Sequence, residues 1–77
     1  MPPRLYSWDA GNGRSGVTDD MDAAFGHVDL ALREAATGVR GSVRLVTVST
    51  YGRSEYIVLG VVGQARRDDA GVLWTRW

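Results

Sequence analysis

The chain has 77 residues, with nine arginines, no lysine, nine acidic residues, one histidine, no cysteine and a formal net charge of zero. A chain this short makes one domain, spanning 1–77, and buries only roughly 60–65% of its unfolded surface. Without cysteine neither a disulfide nor a thiolate metal site can reinforce it, and His27 alone makes no transition-metal site, so no metal or cofactor is expected and self-association is the reinforcement left.

The start, Met1-Pro2-Pro3-Arg4, lacks the apolar core of a leader peptide, and no apolar run approaches the ~20 residues of a membrane span. A cytoplasmic protein without a membrane segment is the expectation, and the absence of cysteine fits a reducing compartment. Arg4-Leu5-Tyr6-Ser7-Trp8 alternates and reads as a short terminal strand. Residues 9–17 read as a loop rich in Gly, Asn and Ser, with Asn12-Gly13 as its turn. Within it, Gly11-Asn12-Gly13-Arg14-Ser15-Gly16 has the G-x-G-x-x-G spacing of dinucleotide-binding turns. That chemistry needs a helix N-terminus open to pyrophosphate, whereas Asp19, Asp20 and Asp22 occupy the end that follows. A glycine-rich connection is therefore the plainer reading.

The spacing of Met21, Phe25, Val28, Leu32 and Ala35 predicts an amphipathic helix over about 18–37, with Thr18 as N-cap and Gly38 just past its end. Gly26, inside it, calls for close packing on a sheet. His27 falls beside the apolar stripe, as a boundary residue rather than a catalytic base. Asp19, Asp20 and Asp22 read as helix-capping acids, because the spacing of a calcium loop is missing.

Three further strands are predicted at about 42–51, 55–66 and 72–77. Gly52-Arg53 suits a two-residue hairpin, which would place Val46 opposite Leu59 and Val48 opposite Ile57, beneath the helix together with Arg44 and Val61. The other face would then hold Val43, Leu45, Tyr56, Val58 and Val62. Asp68-Asp69-Ala70-Gly71 makes the second hairpin, and its uncertain loop length leaves open whether Trp74 or Trp77 faces the core. The expected fold is α+β, in β-α-β-β-β order, with one amphipathic helix on a mostly antiparallel four-stranded sheet. One helix is too narrow to cover such a sheet, so an exposed apolar region should remain.

The functional expectation is a non-enzymatic module that self-associates through the uncovered sheet face or an edge strand. Leu45, Tyr56, Val58, Val62 and Trp77 are the candidate interface residues. A homo-oligomer, most simply a dimer, or another protein is the expected partner. Charge is unevenly placed: residues 1–37 hold three arginines and six acids, residues 38–77 six arginines and three acids. The alternative is therefore a nucleic-acid-associated regulator, with Arg53, Arg66, Arg67 and Arg76 on phosphates and Tyr51 stacking on a base. Met1-Pro2, followed by a strand, an acid-capped helix and a strand, loosely resembles the small tautomerases. The resemblance implies a proline general base at Pro2, with Arg14 and Arg40 as carboxylate binders. Pro3 and the final three-strand meander depart from that pattern.

Overall fold

The computed structural model describes residues 4–11, 13–48 and 56–76. Their order is β1 (Leu5–Ala10), β2 (Arg14–Thr18), α1 (Met21–Arg33), β3 (Arg40–Val48), β4 (Tyr56–Asp68) and β5 (Gly71–Arg76). The strands form one sheet in the order β2-β1-β3-β4-β5, every neighbouring pair antiparallel, with α1 packed on one side. The class is α+β as expected, but the sheet has five strands rather than four.

The extra strand is β2, which lies in the stretch read as a loop. Its sequence, Arg14-Ser15-Gly16-Val17-Thr18, carries too little apolar alternation to announce a strand. It pairs with β1 from Tyr6↔Thr18 to Ala10↔Arg14. Trp8 lies across Gly16, where a Cβ would stand 2.8 Å from the indole nitrogen. Glycine is thus required by the ring above it, and the indole supplies the surface that the glycine lacks. The Gly11–Gly16 motif is accordingly a hairpin turn followed by an edge strand. Gly13 takes φ 92°, and its N–H reaches the Ala10 carbonyl at 3.1 Å.

Helix α1 starts later and ends earlier than its sequence pattern implied. Asp20, not Thr18, is the N-cap: its Oδ1 accepts the Asp22 N–H at 2.9 Å and the Ala23 N–H at 3.4 Å. Thr18 Oγ1 accepts the Asp20 N–H at 3.2 Å and so shapes the entry to the helix. The C-cap is Glu34, and Gly38 takes φ 96° in the turn that leads to β3. Ala24, Phe25, Val28, Ala31 and Leu32 form the buried face. Gly26 is exposed, and a Cβ there would meet nothing within 4 Å outside the helix. The close sheet contact expected of it is absent. Gly26→Ala should therefore raise stability by about 1 kcal/mol, seen as a thermal midpoint about 4–8 °C higher. An unchanged or lower midpoint would contradict this placement.

The helix sits on a floor of small residues. Ala10 pairs with Gly41, Gly41 with Ala65, and Val43 with Gly63. Phe25, Val28 and Leu32 settle onto this floor, with Tyr6, Trp8, Val62, Val72 and Trp74 packed around it. The face assigned to each residue of β3 is the reverse of that expected. Val43 is fully buried under α1, while Arg44 lies on the opposite side. The cause is register. Val48↔Tyr56, Thr47↔Ile57 and Val46↔Val58 pair one residue away from the predicted alignment, Leu45↔Gly60 and Arg44↔Val61 pair as predicted, and Val43↔Gly63 is displaced again, with shifts between Leu45/Val46 and between Val43/Arg44. Each one-residue shift exchanges the two faces.

The second hairpin is unambiguous. Asp68 pairs with Gly71 across the two-residue loop Asp69-Ala70, and Asp68 Oδ1 accepts the Ala70 N–H at 2.7 Å. Trp74 therefore pairs with Ala65 on the helix side. There its ring meets Phe25 edge-on at 5.0 Å, and its Nε1 donates to Asp29 Oδ1 at 3.2 Å. Trp77 lies outside the described residues, as do Pro2 and the Gly52-Arg53 hairpin.

Candidate interaction surfaces

Three surfaces emerge from this arrangement. The first is the outer edge of β4. This strand has 13 residues and spans about 43 Å at ~3.3 Å per residue, close to the 45 Å long axis of the molecule. Its outer neighbour β5 pairs with it only from Gly63 to Asp68. Among the described residues, the edge from Ile57 to Val62 thus has no strand beside it. That edge reads Ile-Val-Leu-Gly-Val-Val, without charge or proline. Ile57, Val58 and Leu59 are 47%, 55% and 58% exposed.

The second surface is the sheet face away from α1. Successive cross-strand partners share a face, so Asp9, Ser42, Gln64 and Thr75 form one polar row. Arg40, Arg66 and Leu73 form the next row. All seven line a cleft of about 730 Å³. Arg44, opposite Ser7, lies further along the same face. Contrary to expectation, this end of the uncovered face is polar and basic rather than apolar.

The third surface is aromatic and lies on the helix side. His27 stacks on Trp8 with ring centroids 5.1 Å apart and planes inclined by 19°. Arg76 places its guanidinium 4.2 Å from the Phe25 centroid and 5.9 Å from that of Trp74. Asp29 accepts from Trp74 and also pairs with Arg33 at 2.8 Å. Trp74, Asp29, Arg33 and Arg76 are engaged within the fold, so the patch reads as the rim of the core.

Of the expected interface residues, Val58 lies on the free part of β4, opposite Val46. Val62 packs against the helix-side cluster instead, and Leu45 shares the helix side with Tyr6 and Val43. The backbone of Tyr56 pairs with Val48 at the far end of β4. The expected apolar face is thus divided between the two sides of the sheet, and the exposed apolar surface gathers at the β4 edge instead. Among the arginines expected on phosphates, Arg66 lies on the uncovered face. Arg67 lies opposite Val72 and donates to the Asp68 carbonyl, while Arg76 lies over Phe25 on the helix side. Tyr51 and Arg53 lie outside the described residues.

Arg40 and Arg44 are the site residues that sequence reasoning did not group with Arg66. The i, i+2 alternation of Arg40, Ser42 and Arg44 carried that information, but the expectation that the Val46–Val48 side faces the helix placed Arg44 beneath it. Among the described residues there is no cluster of three or more histidine or acidic side chains fit to hold a metal, and no helix long and apolar enough to cross a membrane. No protein-family model matches the chain, and neither a curated protein nor a solved structure matches it.

Proposed function

We propose that the chain is a non-enzymatic interaction module that self-associates edge to edge through β4. One observation carries this reading: a long, uncharged apolar edge from Ile57 to Val62, exposed at Ile57, Val58 and Leu59, with no strand beside it among the described residues. Such an edge leaves backbone N–H and C=O groups free to template a further strand, and natural proteins usually blunt it with charge, proline or brevity. The opposite edge, β2, is blunted in this way. It has five residues, and its Arg14 is tied to Glu34 at 3.2 Å.

A second copy is the occupant that fits. Antiparallel pairing of the edge with itself about Leu59 sets Ile57 opposite Val61 and Val58 opposite Gly60. No charge meets a like charge, and β-branched side chains meet across the seam. The two-fold operation consumes both free edges, so assembly closes at the dimer instead of growing into a fibre. The patch is small, which fits a dimer of micromolar affinity.

Sedimentation velocity tests this. The native chain should sediment with twice the 8.4 kDa mass of one copy at concentrations on the order of 100 μM. Leu59→Lys should be a folded monomer, because Leu59 is 58% exposed and the change removes little from the core. A native chain that stays monomeric there, or a variant that dimerises equally well, would remove the proposal.

A further inference from the structure

We infer that the cleft on the uncovered face is a binding site for a small phosphorylated ligand, with Arg40 and Arg66 as the paired anion contacts. Arg40 and Arg66 are direct cross-strand partners. Directly opposed side chains stand with their Cβ atoms about 4.5–5.5 Å apart, and like charges in that position are destabilising. A sheet face that only needed solvation would not require this pairing. The ion pairs among the described residues join Arg14 to Glu34 and Arg33 to Asp29, and neither Arg40 nor Arg66 takes part. Two exposed guanidiniums facing one cleft, with no carboxylate paired to either among the described residues, present a fork of donors that matches a doubly charged phosphate.

The rest of the cleft describes the ligand's other end. Ser42, Gln64 and Thr75 place neutral hydrogen-bonding groups in the row beside the arginines, with Asp9 at its β1 end. These groups suit the hydroxyls of a sugar or polyol. Leu73, 48% exposed, supplies an apolar wall. A volume of about 730 Å³ falls within the roughly 300–1,000 Å³ of small-molecule sites. A single-stranded nucleic acid fits less well, because it calls for rings on which bases stack. Tyr6, Trp8 and Phe25 pack on the helix side, and Trp74, which also borders the cleft, has its ring engaged by Phe25 and Asp29.

The charge layout favours the same ligand. Asp20, Asp22, Asp29 and Glu34 belong to the helix and its caps, whereas Arg40, Arg44 and Arg66 lie on the uncovered face. The cleft also lies at the opposite end of β4 from the Ile57–Val62 edge, so a failure here leaves the dimer proposal standing.

The test is titration of the native chain with inorganic phosphate and with ribose 5-phosphate at constant ionic strength, followed by amide chemical shifts and calorimetry. Phosphate should bind in the millimolar range, with shifts confined to Arg40–Ser42, Gln64–Arg66 and Leu73–Thr75. The sugar phosphate should bind more tightly. Arg40→Thr and Arg66→Thr should each weaken phosphate by about tenfold or more. Asp9→Asn should diminish only the advantage of the sugar phosphate. Absence of shifts at phosphate concentrations on the order of 10 mM, shifts that map elsewhere, or native affinity retained in both arginine variants would overturn the assignment.

Discussion

Gly41→Val is expected to cost the fold about 3 kcal/mol, a large share of its stability. Gly41 is buried at the centre of the floor beneath the helix. A Cβ there would stand 2.7 Å from Val28 Cγ1 and 2.8 Å from the Asp9 carbonyl oxygen. The first contact could be relieved by a side-chain rotation. The second cannot, because Asp9 is held in β1 by its place in the ladder with β3. Valine adds two methyl groups beyond the Cβ, so either β1 or α1 must move away. Overpacking of this kind costs typically about 1–3 kcal/mol and occasionally more, and a backbone contact puts this case at the high end. The whole domain is worth only about 4–12 kcal/mol at the usual stability per residue. Urea denaturation read by far-ultraviolet circular dichroism measures the loss directly. Gly60→Ala is the control: Gly60 is exposed, its φ is ordinary, and a Cβ there meets nothing within 4 Å. It should change stability by less than about 0.5 kcal/mol. Equal effects at the two glycines would refute the idea of a glycine seat.

That seat also explains which parts of the fold could be read from the chain alone. Phe25, Val28 and Leu32 announced themselves by helical spacing, and all three are buried where the stripe placed them. The strands at Val43–Val48, Ile57–Val62 and Val72–Trp74 were visible as apolar, β-branched runs. Which face each residue took was not legible, for two physical reasons. Strand parity is a binary signal, and shifts at Val43/Arg44 and Leu45/Val46 each flip it. Ala10, Gly41, Gly63 and Ala65, four of the positions beneath the helix, have little or no side chain with which to mark an inner face. Strand β2 escaped notice for a related reason. Its inward position at Gly16 is covered by Trp8 from the neighbouring strand, so the apolar group that stabilises it belongs to a different segment. The apolar run Ile57–Val62 was legible but its place on a free edge was not, and the Arg40–Arg66 pair likewise depended on knowing the register.

The second large effect is expected at Phe25, and it couples to Gly63. The Phe25 ring is 6% exposed and fixed on two sides, by Trp74 edge-on and by the Arg76 guanidinium over its face. Its edge overhangs Gly63, where a Cβ would lie 2.5 Å from Cε1 and 3.0 Å from Cζ. Phe25→Ala removes the largest side chain of the helix face and opens a cavity under α1, at a cost of about 3–5 kcal/mol. Gly63→Ala alone should also destabilise, since the ring cannot slide aside without losing Trp74 or Arg76. In the Phe25→Ala background the same alanine should be neutral or favourable. The added methyl then enters vacated space, and it replaces a glycine whose φ lies in the ordinary range. The cycle should therefore show a coupling of about 1–3 kcal/mol, within the range for contacting residues, with the double variant more stable than the sum of the single losses implies. Denaturation of the four proteins, monitored through tryptophan fluorescence, supplies all the terms. Additive losses would mean that the ring and the glycine are not in contact, and that α1 rests on the sheet elsewhere.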